Sequence, residues 1–183
     1  MLRAVAFLWG FLEATVFFLV PDVYLTGVVL KADSRKILVA FFYSLSGALL
    51  GGAILYAFAF SHPLNTLDWF DHIPGISTKL IQNVRVNISA EGLTSMLKGM
   101  FQGVPYKLFA AAWGEKGGNL SLFIFLTIVA RGSRFIFSIL VAAFLKILGT
   151  RFVKNWNTWR WIAYSMFWSI FYTVYFYYMH NKS

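Results

Sequence analysis

Apolar positions run through this chain in long unbroken blocks, without the alternating or one-sided patterns of a soluble domain. Residues 37–60 carry 24 consecutive uncharged side chains and residues 161–179 carry 19. Each block is long enough to cross about 30 Å of hydrocarbon as a helix. A third block, residues 120–148, is longer than one crossing needs and holds Arg131 and Arg134 near its centre. Transmembrane helices are therefore expected over 37–60, 120–148 and 160–180.

Two further apolar blocks are interrupted. Residues 3–30 contain Glu13, Pro21 and Asp22; residues 92–114 contain Lys98, Gly103, Pro105 and Lys107. Proline removes a helix donor and drives the residue before it out of helical geometry, so both blocks are expected as re-entrant hairpins. A kinked spanning helix is the alternative. Charge separates the two for the second block. Lys146, Arg151, Lys154 and Arg160 follow the third block with no acid among them, and Lys31, Arg35 and Lys36 stand against Asp33 alone. Both loops are therefore expected in the cytoplasm. The chain leaves the first loop outward through 37–60. It reaches the second on the same side only if 92–114 turns back, since two further crossings would leave four cations outside. For residues 3–30 this test decides nothing, because Arg3 alone weighs little.

The connection over 61–91 is polar by comparison. Pro63, Pro74 and Gly75 read as breakers, and Trp69 and Phe70 as interfacial anchors. Ile76, Leu80, Ile81, Val84 and Ile88 fall on roughly one helical face, which predicts an amphipathic segment along the membrane surface.

Composition agrees with the pattern. Hydrophobic residues make up 59% of the 183, aromatic ones 20% and charged ones 13%, with a mean hydropathy of +0.67. This excludes a soluble polar surface and disorder alike. The whole length forms one membrane domain. The net charge of +9 points to anionic lipid and membrane orientation, and no nucleic-acid partner is expected. The absence of cysteine excludes disulfides, thiolate metal sites and a cysteine nucleophile. Asp68 and His72 alone make no metal site, and no phosphate-binding loop or dinucleotide fingerprint occurs. His62, His72 and His180 stand apart from the arginine pair, which leaves a phosphohistidine nucleophile without support. Neither enzymatic activity nor a cofactor is expected.

A shift of 84 residues lays Val20-Pro21 on Val104-Pro105, and 41–60 on 125–144 with phenylalanine at both ends. The pattern of broken hairpin then spanning helix repeats, in the inverted arrangement that transporters use to rock about a midplane site. The fold class expected is an all-α polytopic membrane protein. It has two re-entrant hairpins, each followed by a transmembrane helix, in inverted pseudo-repeat, plus a C-terminal transmembrane helix. The halves differ in chemistry. The first supplies the acids Glu13 and Asp22, the second Lys98, Lys107, Arg131 and Arg134. Intramembrane charges cost about 2.5–3.5 kcal/mol each on insertion scales and so are expected to meet. Arg131 and Arg134, three apart on a helix, offer planar donors suited to phosphate. Lys107 follows the Gly103-Val104-Pro105 break. Substrate binding is assigned to Arg131, Arg134, Lys107, Gly103 and Pro105, and proton coupling to Glu13 and Asp22. The bland alternative is a scaffold whose salt bridges only fix hairpin docking.

These residues resemble the DedA family of bacterial membrane proteins, also called the VTT-domain or SNARE-associated Golgi protein superfamily. The resemblance rests on Glu13 followed by an apolar run to Pro21-Asp22, and on the glycine-rich Ser46 to Gly52 with Tyr56. It also rests on Phe101-Gln102-Gly103-Val104-Pro105-Tyr106-Lys107, Ala112-Trp113-Gly114 and the arginine pair. It implies a lipid transporter, flippase or scramblase in the bacterial cytoplasmic membrane. The implied substrate is undecaprenyl phosphate or a phospholipid, with dependence on proton motive force. The family's membrane acids and arginines carry over onto Glu13, Asp22, Lys107, Arg131 and Arg134. Many members have arginines around the second proline, where this chain has Val104 and Lys107, and many have an extra N-terminal span, so by resemblance this is a compact member of the family with its own substrate preference. The expected partners are membrane lipids, anionic phospholipid or polyprenyl phosphate, with a homo-oligomer open through Gly47 to Gly52.

Overall fold

The structure, a computed structural model, describes residues 1–63, 66–70, 73 and 76–182. His72, Pro74 and Gly75 lie outside the described residues. The chain is all-helical, with no strand among the described residues. The first broken block forms α1 (Leu2–Thr15) and α2 (Pro21–Lys31), followed by α3 (Ser34–Ser61) and the short α4 (Thr66–Trp69). Then come α5 (Thr78–Glu91), a 3-10 turn (Gly92–Thr94), α6 (Ser95–Phe101) and α7 (Tyr106–Glu115). The long α8 (Leu120–Phe152) and α9 (Trp156–Lys182) complete the chain.

Local chemistry sets these boundaries. The Asp33 carboxylate caps α3 by accepting the Lys36 amide at 2.9 Å, and that bond, with the Lys36 ammonium beside it, holds the Asp33 carboxyl below its usual range. Asn119 caps α8 through the Leu122 amide at 2.9 Å. Pro21 opens α2 at a position where its missing N–H costs nothing. Gly103 takes φ +76°, the left-handed turn that ends α6, and α7 starts directly after Pro105.

Two helices, α3 and α8, are long and apolar enough to cross a membrane. Their outward faces expose Phe42, Ile54 and Phe58, and Phe137, Leu140 and Phe144, a spread of apolar surface that fits a membrane protein better than a soluble one. Both helices outrun the expected 37–60 and 120–148. The third helix, α9, is long as well, but its Tyr, Asn, Ser and Thr dilute its hydropathy.

Where α1 meets α3 the backbones touch. A Cβ on Gly10 would lie 2.1 Å from the Ser44 carbonyl oxygen, and one on Gly47 2.1 Å from that of Phe7. The glycine run therefore serves packing inside the chain. These contacts ascend together, so α1 runs parallel to α3 as far as Gly51, which faces Phe11 and Thr15. Tyr24 donates to the Leu2 carbonyl at 3.2 Å, which returns α2 alongside the start of α1. In the second broken block, Phe109 of α7 packs on Gly99 of α6. The second arm of each block then packs on the long helix of the other half, α2 on α8 and α7 on α3.

Two expectations for the connection need correction. Phe70 is fully buried in the core, whereas Trp69 is exposed, so only Trp69 is free to act as an anchor. The stripe Ile81, Val84 and Ile88 of α5 is buried in the same core as Phe109 and Trp113 of α7. Its apolar face is spent on protein packing, and the polar face is what remains outward.

Candidate functional site

Three interruptions of regular structure meet in the middle of the molecule. α1 ends two residues after Glu13, α2 begins one residue before Asp22, and α7 begins one residue before Lys107. Lys107 ties two of them together, its Nζ donating to the Phe17 carbonyl in the first break at 2.9 Å. Unwinding leaves carbonyls without helical donors, and an ammonium held there satisfies one of them. Lys107 is buried and forms no ion pair among the described residues.

The two acids divide the two arginines. Arg131 Nη2 donates to Glu13 Oε2, and both side chains are buried, 3% and 6% exposed. The same guanidinium lies over the Tyr106 ring, 4.4 Å from its centroid. Tyr106 is fixed by a hydrogen bond with Thr127 at 3.1 Å, and its hydroxyl occupies the space that a side chain at Gly52 would need. Arg134 Nη2 lies 2.9 Å from Asp22 Oδ2, and Arg134 is 28% exposed. Ser138, one turn further along α8, donates to Asp22 Oδ1 at 2.5 Å. The Val20 amide ahead of α2 donates to the Tyr172 hydroxyl at 2.9 Å.

A groove of about 910 Å³ starts at this cluster and runs between α2, α8 and α9, at the upper end of the range for small-molecule sites. α2 contributes Asp22, Thr26 and Leu30 to its wall, and α8 contributes Arg134, Ser138 and Leu145. α9 contributes Arg160, Tyr164, Trp168 and Tyr172. The wall along α8, from Ser133 to Leu145, is about 18 Å long at the helical rise. Hydrogen bonds fix the register: Tyr172 meets Val20, Tyr164 meets Val23 and Arg160 meets Leu30, so α9 runs antiparallel to α2. The groove is polar at the end near Lys107 and Arg134 and apolar along most of its length.

The structure thus brings Glu13, Asp22, Lys107, Arg131 and Arg134 together, with Gly103 and Pro105 at the groove's inner end. It separates roles that the sequence treats alike. Arg131 is buried against Glu13 and Tyr106 and does not line the groove, whereas Arg134 does. Lys98 is not part of the cluster; it pairs with Glu91 at 2.8 Å on the exposed side. What remains is three cations against two carboxylates. Tyr106, Ser138, Tyr172 and Arg160 are site residues that sequence reasoning missed. Ser138 carried a signal, a polar residue four after Arg134 in an apolar span. Arg160 was masked by its place in a run of loop cations. Among the described residues no cluster of His, Asp or Glu suits a metal ion.

Compared with protein-family models, curated proteins and solved structures, the chain matches none.

Proposed function

We propose that this protein moves a phosphate-bearing lipid across a membrane, as a flippase or scramblase. The observation that carries this reading is the groove itself: apolar walls along its length, with an ion-paired cationic cluster at its inner end. A lipid phosphate binds at Arg134 and Lys107 while its acyl or prenyl tail stays against the walls and the surrounding bilayer. Carrying only the headgroup past the midplane avoids exposing the tail to water.

In this reading α1–α2 and α6–α7 are re-entrant hairpins entering from opposite faces, and α3, α8 and α9 span. Each hairpin's second helix, α2 and α7, begins at the cluster, so the positive ends of two helix dipoles face the same place. Gly103 and Pro105 let the chain turn there with backbone amides toward the headgroup. The resemblance to the DedA family points the same way and suggests undecaprenyl phosphate or a phospholipid in a bacterial cytoplasmic membrane.

Asp22 supplies the coupling. As a carboxylate it competes with phosphate for Arg134. Protonated, it keeps its place by hydrogen bonding to Ser138 and releases the guanidinium to the headgroup. Deprotonation then ejects the lipid. Glu13 with Arg131 has a different part, holding the first break against α8 and the Tyr106 ring. That buried pair is the observation favouring the second reading, a membrane scaffold with structural salt bridges.

Purified protein in liposomes with a fluorescent phosphate lipid distinguishes them. Arg134→Gln is expected to stop headgroup translocation while the protein stays folded, and Asp22→Asn to remove the dependence on a proton gradient. Unchanged flux in Arg134→Gln would leave only the scaffold.

A further inference from the structure

The far end of the groove has its own unanswered donors. Arg160 reaches across from α9 and donates through Nη1 to the Leu30 carbonyl, the last turn of α2, at 3.2 Å. Its Nε is buried with no acceptor in the protein, and so is Nε1 of Trp156, one turn earlier on α9. Both residues line the groove. A buried N–H without a partner is costly and rare enough to need an explanation.

Charge sharpens the contrast between the two ends. The carboxylates lining the groove are Glu13 and Asp22, both at the inner end. Leu30, where Arg160 sits, is about 12 Å from Asp22 along α2 at the helical rise. Lys146 is nearby, its Nζ donating to the carbonyls of Val29 at 2.8 Å and Ala32 at 3.3 Å. Of the inner cations Arg131 and Arg134 are paired with acids and Lys107 with a backbone carbonyl, whereas at the far end Arg160 and Lys146 have backbone oxygens and, for Arg160, the Trp161 ring, with no carboxylate partner. No carboxylate lines the groove at that end, and the acid next in sequence, Asp33, is engaged with Lys36.

We infer that Arg160 and Trp156 form a second anionic subsite, which captures the phosphate of the lipid at the mouth of the groove before it moves inward to Arg134 and Lys107. The occupant is a lipid phosphate and not a free one, because the wall from mouth to inner cluster is continuous and mostly apolar. This subsite rests on the reading of the groove as a lipid path. It adds an order of events: capture where no acid competes, then transfer to a site where Asp22 decides release.

The test uses the full chain in detergent, with an alkyl phosphate carrying a photoactivatable group in its chain and the matching alkyl alcohol as control. Labelling is mapped around Leu145 and Ala163, and lipid flux is measured in liposomes in parallel. Arg160→Gln is expected to raise half-saturation for the phosphate probe about tenfold or more, the size of a lost charged hydrogen bond. The alcohol probe should be unaffected. Trp156→Phe keeps a ring against Gly149 and removes only the donor, so it should weaken phosphate labelling severalfold without loss of fold. Arg160→Lys should recover part of the affinity. Arg134→Gln should stop flux yet leave labelling at the mouth intact. Unchanged half-saturation in both Arg160→Gln and Trp156→Phe would overturn the subsite, while the transport reading would stand if Arg134→Gln still stopped flux. Inorganic phosphate displacing the probe as well as the alkyl phosphate does would overturn lipid capture. A wild-type protein with neither labelling nor flux would overturn both.

Discussion

Arg131 and Arg134 sit within one turn of α8, yet their surroundings give them different work. Arg131 is buried with Glu13, so removing either charge leaves the other buried and uncompensated. Arg131→Ala is expected to destabilise the protein by about 3–5 kcal/mol, measured by thermal or denaturant unfolding in detergent. The double variant Glu13→Gln with Arg131→Met should recover much of that loss, because no lone charge remains. Arg134 is partly exposed to the groove, so Arg134→Gln should leave the unfolding transition near that of the wild type while abolishing flux. A large loss of stability in Arg134→Gln would argue that its pair with Asp22 is structural too. That Glu13, Asp22, Lys107, Arg131 and Arg134 gather was legible in the sequence, though Lys98 was wrongly counted with them, because charge inside an apolar block has few places to go. Which acid takes which arginine was not, since Glu13 and Asp22 stand on opposite sides of a break whose path the sequence does not give.

Helix packing rests on small residues used in opposite ways along the chain. Gly10 and Gly47 bring α1 and α3 into backbone contact, where an added Cβ meets a carbonyl oxygen that cannot move aside. Gly47→Ala is expected to separate the two helices and cost about 1–3 kcal/mol, as overpacking does. Gly132 in α8 has nothing within 4 Å of an added Cβ. Gly132→Ala should be neutral or stabilising by up to about 1 kcal/mol, because alanine is the better helix former. If both variants behaved alike, the contact between α1 and α3 would not be what fixes the first hairpin. The proline breaks at Pro21 and Pro105 could be placed from sequence because proline's steric effect is local. The groove could not, since the stripe of Tyr164, Trp168, Phe171, Tyr172 and Tyr175 recurs at helical spacing but does not say that α2 and α8 stand opposite it. The burial of Phe70 and of the α5 stripe was hidden for the same reason: an apolar face predicts that something covers it, but not whether lipid or α7 does so.

At the level of the whole molecule, the contacts decide which ends of the chain share a side. Glu115, at the end of α7, pairs with Arg85 of α5 at 3.3 Å, and Lys116 donates to the Ile88 carbonyl at 3.1 Å. Tyr56, near the end of α3, bonds the Gly118 carbonyl. The segment from α6 to α7 therefore starts and finishes beside the same end of α3. At the opposite end, Tyr24 of α2 donates to the Leu2 carbonyl at 3.2 Å, and Leu2, Ala32 and Ile37 pack against one core cluster, so α1 and α2 likewise begin and finish together. Should α3 span the bilayer, this arrangement favours the proposed re-entrant segments over kinked spans. The natural chain has no cysteine, so single cysteines report sidedness without background. With a membrane-impermeant thiol reagent on intact cells, Asn87→Cys and Lys116→Cys are expected to react. Arg3→Cys, Lys36→Cys and Lys154→Cys should react only after the membrane is opened. Reaction of Lys116→Cys with the second group would mean that α6–α7 crosses. Reaction of Arg3→Cys with the first would mean the same for α1–α2, and in either case the inverted pair on which the proposed lipid movement rests could not exist.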